Sequence, residues 1–89
     1  MNDIFLRTRL LIGPEAINKL KSSKVAVFGV GGVGSFVTEA LARASVGNID
    51  IFDGDVVDAT NINRQLIALH STIGMSKVEV MKKRLLDIN

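Results

Sequence analysis

Residues 25–65 read VAVFGVGGVGSFVTEALARASVGNIDIFDGDVVDATNINRQ, and this stretch decides the fold. Gly29, Gly31 and Gly34 match the pattern G-x-G-x-x-G, directly after an aliphatic run and at the start of an apolar segment. A strand, a glycine-rich turn and a helix in this order are typical of nucleotide-binding α/β proteins. Glycine amides, here including that of Gly32, can approach phosphate oxygens, and the positive end of the helix dipole favours the negative charge. The stretch therefore predicts a phosphate-binding turn.

The residues on both sides of the turn predict the N-terminal βαβ half of an α/β, Rossmann-like nucleotide-binding fold, with flanking helices. The aliphatic run Lys24–Phe28 predicts a central parallel strand, and NIDIF at Asn48–Phe52 predicts a second strand. A helix is expected over Val33–Ala44, with Gly47 as its terminator. We expect this helix to bury one stripe of side chains, namely Val33, Val37, Ala40, Leu41 and Ala44. A right-handed crossover would place the end of the second strand beside the glycine turn.

Three further helices are expected outside this unit. A proline begins the predicted helix Pro14–Lys21, where its missing amide hydrogen costs nothing. Thr60 or Asn61 can cap a short helix that runs to about Leu69. The segment Ser76–Asp87 starts with the capping-box spacing S-x-x-E and predicts the last helix. Its apolar positions should pack on the sheet: Val78, Met81, Leu85 and Ile88.

Length and composition restrict the possible functions. The 89 residues are about half of a complete doubly wound domain, so we expect residues 1–89 to be the N-terminal part of one incomplete domain. The absence of cysteine excludes a disulfide framework and a thiolate zinc site within this chain. A net charge of +2 is too small to indicate nucleic-acid binding by itself. No segment reaches the ~20 apolar residues that span a bilayer, so a cytoplasmic protein is expected.

An acidic residue follows the second predicted strand, where dinucleotide-binding folds hold a ribose. Asp53 lies 19 residues past Gly34. A carboxylate at the carboxyl end of this strand can accept hydrogen bonds from ribose hydroxyls. A turn or helix-capping aspartate is the structural alternative. The glycine turn and Asp53 together indicate a nucleotide site without deciding the nucleotide, because an NAD-dependent oxidoreductase fits them as well as an ATP-binding enzyme does.

Three separated motifs carry a resemblance that distinguishes the nucleotides. GVGGVGS, DGDVVDATNINRQ and GMSKVEVM follow one another in this order, and Lys77 lies twelve residues past Gln65. Together they resemble the ThiF/MoeB/HesA superfamily of adenylating enzymes, which are relatives of ubiquitin-activating enzymes. Within it, the segments LLIGPEAINKLKSSKVAVFGVGGVGSF, TNINRQ and SKVEVMKKRLLDIN most closely resemble the branch of tRNA threonylcarbamoyladenosine dehydratases (TcdA/CsdL). The resemblance covers essentially all 89 residues.

The resemblance implies ATP-dependent activation of a carboxylate as an acyl-adenylate, with release of pyrophosphate. For the dehydratase branch, the acid is the threonylcarbamoyl group of a modified adenosine in tRNA, which is then cyclised by loss of water. Such a site must hold the triphosphate in line with the attacking carboxylate and must stabilise the negative charge of the phosphates. The resemblance also implies Mg²⁺, with a carboxylate ligand that follows a third strand beyond residue 89.

Residue by residue, the resemblance implies that Arg64 and Lys77 bind phosphates and take part in catalysis, and that Asp53 binds the ribose. Arg7 is similar to an N-terminal arginine that family dimers insert into the ATP site of the partner. The positions implied to contact the nucleotide are Gly29, Gly31, Gly32, Gly34, Asp53, Asp55, Asn61, Arg64, Gln65 and Lys77.

The residues themselves support these roles unequally. Lys77 would lie in the first turn of a helix, where a cation opposes the dipole by ~0.3–1 kcal/mol and a bound phosphate would reverse the sign. An exposed surface lysine is the alternative. Arg64 could fork onto phosphate oxygens, or form a salt bridge to Asp55 or Asp58. Arg7 is, without the resemblance, a solvated surface charge.

Other functions remain open from the sequence. An activator of a ubiquitin-like sulfur-carrier protein would share all three motifs. The NAD-binding half of an oxidoreductase would share the glycine turn and Asp53, but it requires neither NINRQ nor Lys77. A non-catalytic dimerising fragment would keep the fold alone. Because two strands leave both sheet edges unpaired, we expect the chain to associate as a homodimer.

Overall fold

The computed structural model describes residues 3–89, which form a mixed α/β arrangement. Within these residues, no helix is long and apolar enough to cross a membrane. Two short 3₁₀ turns, Ala59–Asn61 and His70–Thr72, interrupt the segment before the last helix. The remaining elements are, in chain order, α1 (Leu6–Ile12), α2 (Pro14–Lys21), β1 (Lys24–Phe28), α3 (Gly32–Arg43), β2 (Asn48–Phe52) and α4 (Lys77–Ile88).

The two strands pair in parallel, with Lys24 opposite Asn48 and Phe28 opposite Phe52. Since α3 connects them, β1, α3 and β2 form the expected βαβ unit. The predicted bounds of both strands and of α2 are confirmed. Immediately after β1, the amide of Gly29 donates to the carbonyl oxygen of Phe52 at 2.7 Å. This bond extends the ladder and fixes the start of the glycine turn at the carboxyl end of the sheet.

Helix α3 lies close to the sheet but presents an unexpected face to it. The helix begins and ends one residue before the predicted bounds. Its buried residues are Ser35, Thr38 and Ala42. The predicted stripe is wrong, because Ala40 is exposed, Leu41 and Ala44 are only half-buried, and the exposed fractions of Val33 and Val37 are 79% and 44%. Only small side chains fit against a backbone this close, so the larger aliphatic residues are turned outward.

The connection from α3 to β2 differs from the prediction at Gly47. The helix ends at Arg43, and Ser45 takes the left-handed conformation with φ of 84°. Gly47 is instead a point of close approach, because a Cβ there would lie 1.8 Å from the carbonyl oxygen of Lys21. The glycine is thus required where the end of α2 meets the start of β2, and not as the terminator of α3.

The predicted helix from Thr60 or Asn61 to about Leu69 is wrong. The Asp58 side chain accepts a hydrogen bond from the Thr60 amide, and the Asn61 side chain accepts one from the Asp58 amide, both at 2.8 Å. These reciprocal bonds from side chain to backbone fix a 3₁₀ turn at Ala59–Asn61. Beyond it the Arg64 and Gln65 amides both donate to the Asn61 carbonyl oxygen, and the Ala68 amide donates to that of Gln65, so the chain turns instead of continuing as a helix. Turns then continue to the second 3₁₀ segment. Residues 61–68 therefore form a folded turn segment rather than a helix.

The last helix packs on the core as predicted. Ser76 caps α4 by accepting a hydrogen bond from the Glu79 amide at 3.4 Å, and the helix runs one residue beyond the predicted end. Met81 is fully buried, while the other predicted contact positions, Val78, Leu85 and Ile88, are half-buried. The buried core consists of Val30, Val57, Ile67, Ala68 and Met81. This core lies under the loop that follows β2 and so supports the carboxyl edge of the sheet.

A groove of about 480 Å³ runs along β2 and is lined on its other side by α4, including Val78, Leu85 and Leu86. Further apolar surface lies at the ends of the strands, where the exposed rings of Phe28 and Phe52 stack with centroids 4.9 Å apart. Helix α1 has no buried residue. The described residues thus leave apolar surface uncovered on several sides.

Candidate functional site

The glycine turn offers bare backbone at the carboxyl end of β1. Gly29 has φ of 90°, a conformation that L side chains rarely adopt. A Cβ on Gly34 would lie 1.8 Å from the carbonyl oxygen of Gly29, so the turn and the first turn of α3 are in direct contact. Among residues 3–89, no side chain caps the N-terminus of α3 at Gly31. The amides of the first helical turn therefore remain without a side-chain partner, as an anion-binding N-terminus requires.

Asp53 joins the end of β2 to this turn. Its carboxylate accepts hydrogen bonds from the Val30 amide at 2.9 Å and the Asp55 amide at 2.8 Å. Partial burial acts to raise the pKa of the Asp53 carboxyl, but these two hydrogen bonds and the charge of Lys77 outweigh it, and the pKa lies below its ordinary value. Asp53 is thus ionised at neutral pH and sits where it was predicted, with lone pairs left for further donors.

We expect Asp53 to make the protein sensitive to acid. Because its pKa is lower in the folded state, its contribution to stability is complete above the ordinary aspartate pKa of about 3.9 and is lost as the pH falls through the folded-state pKa. The free energy of unfolding should therefore decrease below about pH 4, and part of this decrease should be absent from Asp53→Asn. Other groups with lowered pKa values act equally in both proteins. Urea unfolding across this pH range is the measurement, and identical acid dependence in the two proteins contradicts the expectation.

Lys77 is a buried residue whose charge acts on the Asp53 carboxylate. Its exposed fraction is 7%, so the alternative of an exposed surface lysine is wrong. Its amide donates to the carbonyl oxygen of Asp55 at 3.1 Å, which ties the first residue of α4 to the loop after β2. The Lys77 charge contributes to lowering the pKa of Asp53, and also of Asp58, where hydrogen bonds from Thr60 contribute more. Within the described residues Lys77 forms no ion pair. A buried charge of this kind is suited to an anionic ligand.

Arg64 lies in the turn segment rather than in a helix, and its side chain is exposed. Its guanidinium donates to the Thr60 carbonyl oxygen at 3.1 Å and to the Asn63 side-chain oxygen at 2.9 Å. The alternative of a salt bridge to Asp55 or Asp58 is wrong, since neither pair forms in the part of the chain that the structure describes. The Arg64 stem lies beside the glycine turn, with Cγ 3.9 Å from where a Cβ on Gly32 would be.

Asn61 and Gln65 are both buried, but they do different things. Asn61 uses its side-chain oxygen to accept the Asp58 amide, so its role here is to hold the turn. Gln65 lies against the glycine turn, with Nε2 3.5 Å from where a Cβ on Gly31 would be. Its Oε1 is buried and, among the described residues, has no hydrogen-bond partner. A buried acceptor without a donor is costly. The donor that this oxygen requires is therefore missing from the part of the chain that the structure describes.

The two other predicted positions are less closely tied to the site. The Asp55 side chain is exposed, although its backbone bonds to both Asp53 and Lys77. Arg7 is exposed on α1, which packs against α2. Its side chain makes no hydrogen bond or ion pair within residues 3–89. One chain thus brings together the glycine turn, Asp53, Lys77, Arg64 and Gln65, and leaves Arg7 apart.

Sequence reasoning missed two residues that shape the site. Asp58 caps the turn that precedes Arg64, and the spacing D-x-x-N from Asp58 to Asn61 could have indicated it. Ser35 is fully buried in the first turns of α3 and contacts the turn segment. A serine after the glycine motif gives no comparable signal. No group of three or more His, Asp or Glu side chains that could hold a metal ion occurs among residues 3–89.

Comparisons with known proteins agree with this geometry. The sequence profile of the ThiF family matches residues 5–89. A tRNA threonylcarbamoyladenosine dehydratase of Bacillus subtilis (strain 168) is 60% identical over 85 residues, which are 96% of this chain and 34% of that protein. An adenylyltransferase and sulfurtransferase of Lodderomyces elongisporus is 43% identical over 75 residues, covering 84% of this chain and 16% of that protein.

A solved structure shows the same arrangement. The E. coli tRNA N6-threonylcarbamoyladenosine dehydratase TcdA, crystallised in complex with ATP, superposes with a TM-score of 0.94 at 44% sequence identity. The superposition covers 96% of this chain and 35% of that one. The chain therefore spans about a third of the length of both dehydratases that it matches.

Proposed function

The chain belongs to the ThiF family, and from this premise we propose that it forms the ATP-binding N-terminal portion of an adenylating enzyme with a Rossmann-like fold. The preferred reaction is the ATP-dependent cyclisation of threonylcarbamoyladenosine in tRNA, carried out in the cytoplasm. The dehydratase names of the relatives at 60% and 44% identity support this substrate. A third relative is an adenylyltransferase and sulfurtransferase, which supports activation of a sulfur-carrier protein as the second candidate.

The observation that carries the proposal is Lys77, a residue that is only 7% exposed, begins α4 and lies close enough to Asp53 for its charge to act on that carboxylate. It lies at the N-terminus of α4, where the helix dipole disfavours a cation. Asp53 offsets part of this cost through its own charge. The negatively charged oxygens of a triphosphate in front of the glycine turn would offset the rest of this cost by pairing with the ammonium. ATP supplies such a group at this place.

The described residues fit ATP as a substrate in three respects. The glycine turn carries no side chain at Gly31 and Gly32, so a phosphate can approach its backbone, while Gly34 is needed because a Cβ there would clash with the carbonyl oxygen of Gly29. The unpaired Oε1 of Gln65 can accept a donor from the nucleotide. The Asp53 carboxylate retains acceptor capacity for ribose hydroxyls.

In the proposed reaction, a carboxylate oxygen of the acid forms a bond to the α-phosphorus of ATP. The bond from that phosphorus to the bridging oxygen breaks, and pyrophosphate leaves with the electron pair. Lys77 and Arg64 stabilise the negative charge that the phosphate oxygens carry during this exchange. Mg²⁺ would neutralise further phosphate charge. Since the described residues provide no cluster of three metal-ligating side chains, we propose that a ligand comes from residues outside this chain.

We further propose that the protein acts as a homodimer. The uncovered apolar surface of α1 supports this, because Leu10 and Leu11 have exposed fractions of 78% and 85%. Burial of such side chains against a second copy would be favourable by roughly 25 cal/mol per Å² of apolar area. In that assembly Arg7, which is on the same helix, would reach the ATP site of the partner.

Arg64→Ala distinguishes ATP from NAD as the nucleotide. If the guanidinium meets the triphosphate, the Kd for ATP should rise about tenfold or more, as expected for a lost charge-assisted hydrogen bond. Lys83→Ala removes an exposed cation from α4 and is the matched control, with no change expected. Isothermal titration measures both. Unchanged ATP binding by Arg64→Ala would contradict the assigned role.

A further inference from the structure

The hydroxyl of Ser35 connects two parts of the candidate site. Ser35 is fully buried in α3, and its Oγ donates to the carbonyl oxygen of Gly31, inside the glycine turn. The same oxygen accepts a hydrogen bond from the Leu66 amide at 3.4 Å. Leu66 directly follows Arg64 and Gln65 in the chain. One side chain thus links the phosphate-binding turn to the turn segment that carries the polar candidate residues.

Local structure alone does not account for a serine at this position. Alanine is the better helix former and would be small enough for the same buried site. A serine hydroxyl that bonds back to the carbonyl four residues earlier slightly weakens a helix. Thr38 makes the same kind of bond to Gly34, at 2.6 Å, but accepts nothing from the turn segment. The feature that distinguishes Ser35 is its bond to Leu66.

The position of the turn segment matters because of what it holds against the glycine turn. Gln65 lies with its Nε2 against Gly31, while its Oε1 is buried and has no partner among the described residues, and the Arg64 stem runs beside Gly32. Without a ligand, the unpaired oxygen favours movement of this segment toward water. A bond that resists this movement keeps both side chains in place for a nucleotide.

We propose that Ser35 is a positioning residue for nucleotide binding. It holds the turn segment against the glycine turn, so that Arg64 and Gln65 are placed before the triphosphate arrives. This inference rests on the proposed ATP-binding function. Ser35 itself contacts no phosphate in this role, since its hydroxyl is fully buried between the two turns. Its effect on affinity passes through the residues that it places.

The test compares Ser35→Ala with Thr38→Val by ATP titration of the purified protein. Both substitutions remove a buried hydroxyl and its bond within α3, but only the first removes the bond to Leu66. We expect Ser35→Ala to raise the Kd for ATP about three- to tenfold, and Thr38→Val to change it by less than about twofold. In a background that carries both Arg64→Ala and Gln65→Ala, Ser35→Ala should lose most of its effect, because the two side chains that it places are gone.

Amide hydrogen exchange of Leu66, measured by NMR without nucleotide, gives a second readout. It should be several-fold faster in Ser35→Ala than in Thr38→Val. Equal exchange in the two variants, or an equal effect on ATP binding, would overturn the role of Ser35 alone. An undiminished effect of Ser35→Ala in the background that lacks both side chains would do the same. No ATP binding by the unmodified protein would overturn the proposed function and this inference together.

Discussion

Replacing Gly34 with alanine is expected to destabilise the protein by roughly 3 kcal/mol or more. The added Cβ would lie 1.8 Å from the carbonyl oxygen of Gly29 and 2.8 Å from its carbonyl carbon. Both neighbours are backbone atoms, so no side-chain rotation can relieve the clash, and α3 would have to move away from β1. Because the unfavourable contact is between the glycine turn and the helix, the site would be lost together with the fold.

Gly54→Ala is the matched control for this variant. Gly54 also lies in a glycine-containing turn, after β2, but a Cβ there would meet no atom within 4 Å. Its free energy of unfolding should change by no more than about 0.5 kcal/mol. Urea unfolding followed by circular dichroism measures both variants. If Gly34→Ala and Gly54→Ala were equally stable, Gly34 would not lie in close contact with the Gly29 carbonyl group in the folded protein.

Replacing Lys77 with methionine is expected to raise the Kd for ATP about 10- to 100-fold. Methionine keeps most of the buried stem and removes the charge, so the fold should be retained while the partner of the phosphates is lost. Removing the cation stabilises the N-terminus of α4 by ~0.3–1 kcal/mol, because the helix dipole no longer faces a positive charge. It also removes the attraction between Lys77 and Asp53, which acts in the opposite direction. We therefore expect only a small change in stability and a large change in affinity.

Lys82→Met on the same helix controls for this substitution, since Lys82 is exposed. It should leave ATP affinity within about twofold. Isothermal titration gives the affinities, and urea unfolding confirms that both variants are folded. If Lys77→Met bound ATP as tightly as Lys82→Met does, the buried ammonium would have no part in phosphate binding.

The βαβ unit could be predicted because local signals and the fold agree there. The aliphatic run Lys24–Phe28 and the alternating segment Asn48–Phe52 both favour strands, and the glycine pattern fixes the turn between the first strand and α3. Asp53 follows from its place at the end of β2. Lys77 could be recognised by its position at a helix start, although its burial could not.

The errors occur where packing overrides a local pattern. In α3 the apolar stripe predicted a buried face, but Gly34 brings the helix so close to the sheet that Ser35 and Thr38 take that face. Between β2 and α4, Asp58 and Asn61 form the reciprocal bonds of a helix start, but Ile67 and Ala68 join the buried core and the chain continues as turns instead of a helix. Both outcomes depend on contacts between segments that are distant in the sequence. The periodicity of apolar residues within one segment gives no information about such contacts.

The central claim is that the glycine turn and Lys77 form a site for the triphosphate of ATP, with Asp53 placed for its ribose. Isothermal titration of the purified protein with ATP and Mg²⁺, and separately with NAD, tests it most directly. Selective binding of ATP is the predicted result, since a triphosphate carries more negative charge for Lys77 and Arg64 to bind than the pyrophosphate of NAD does. Binding of NAD in preference to ATP would contradict the claim and favour an oxidoreductase site on the same turn.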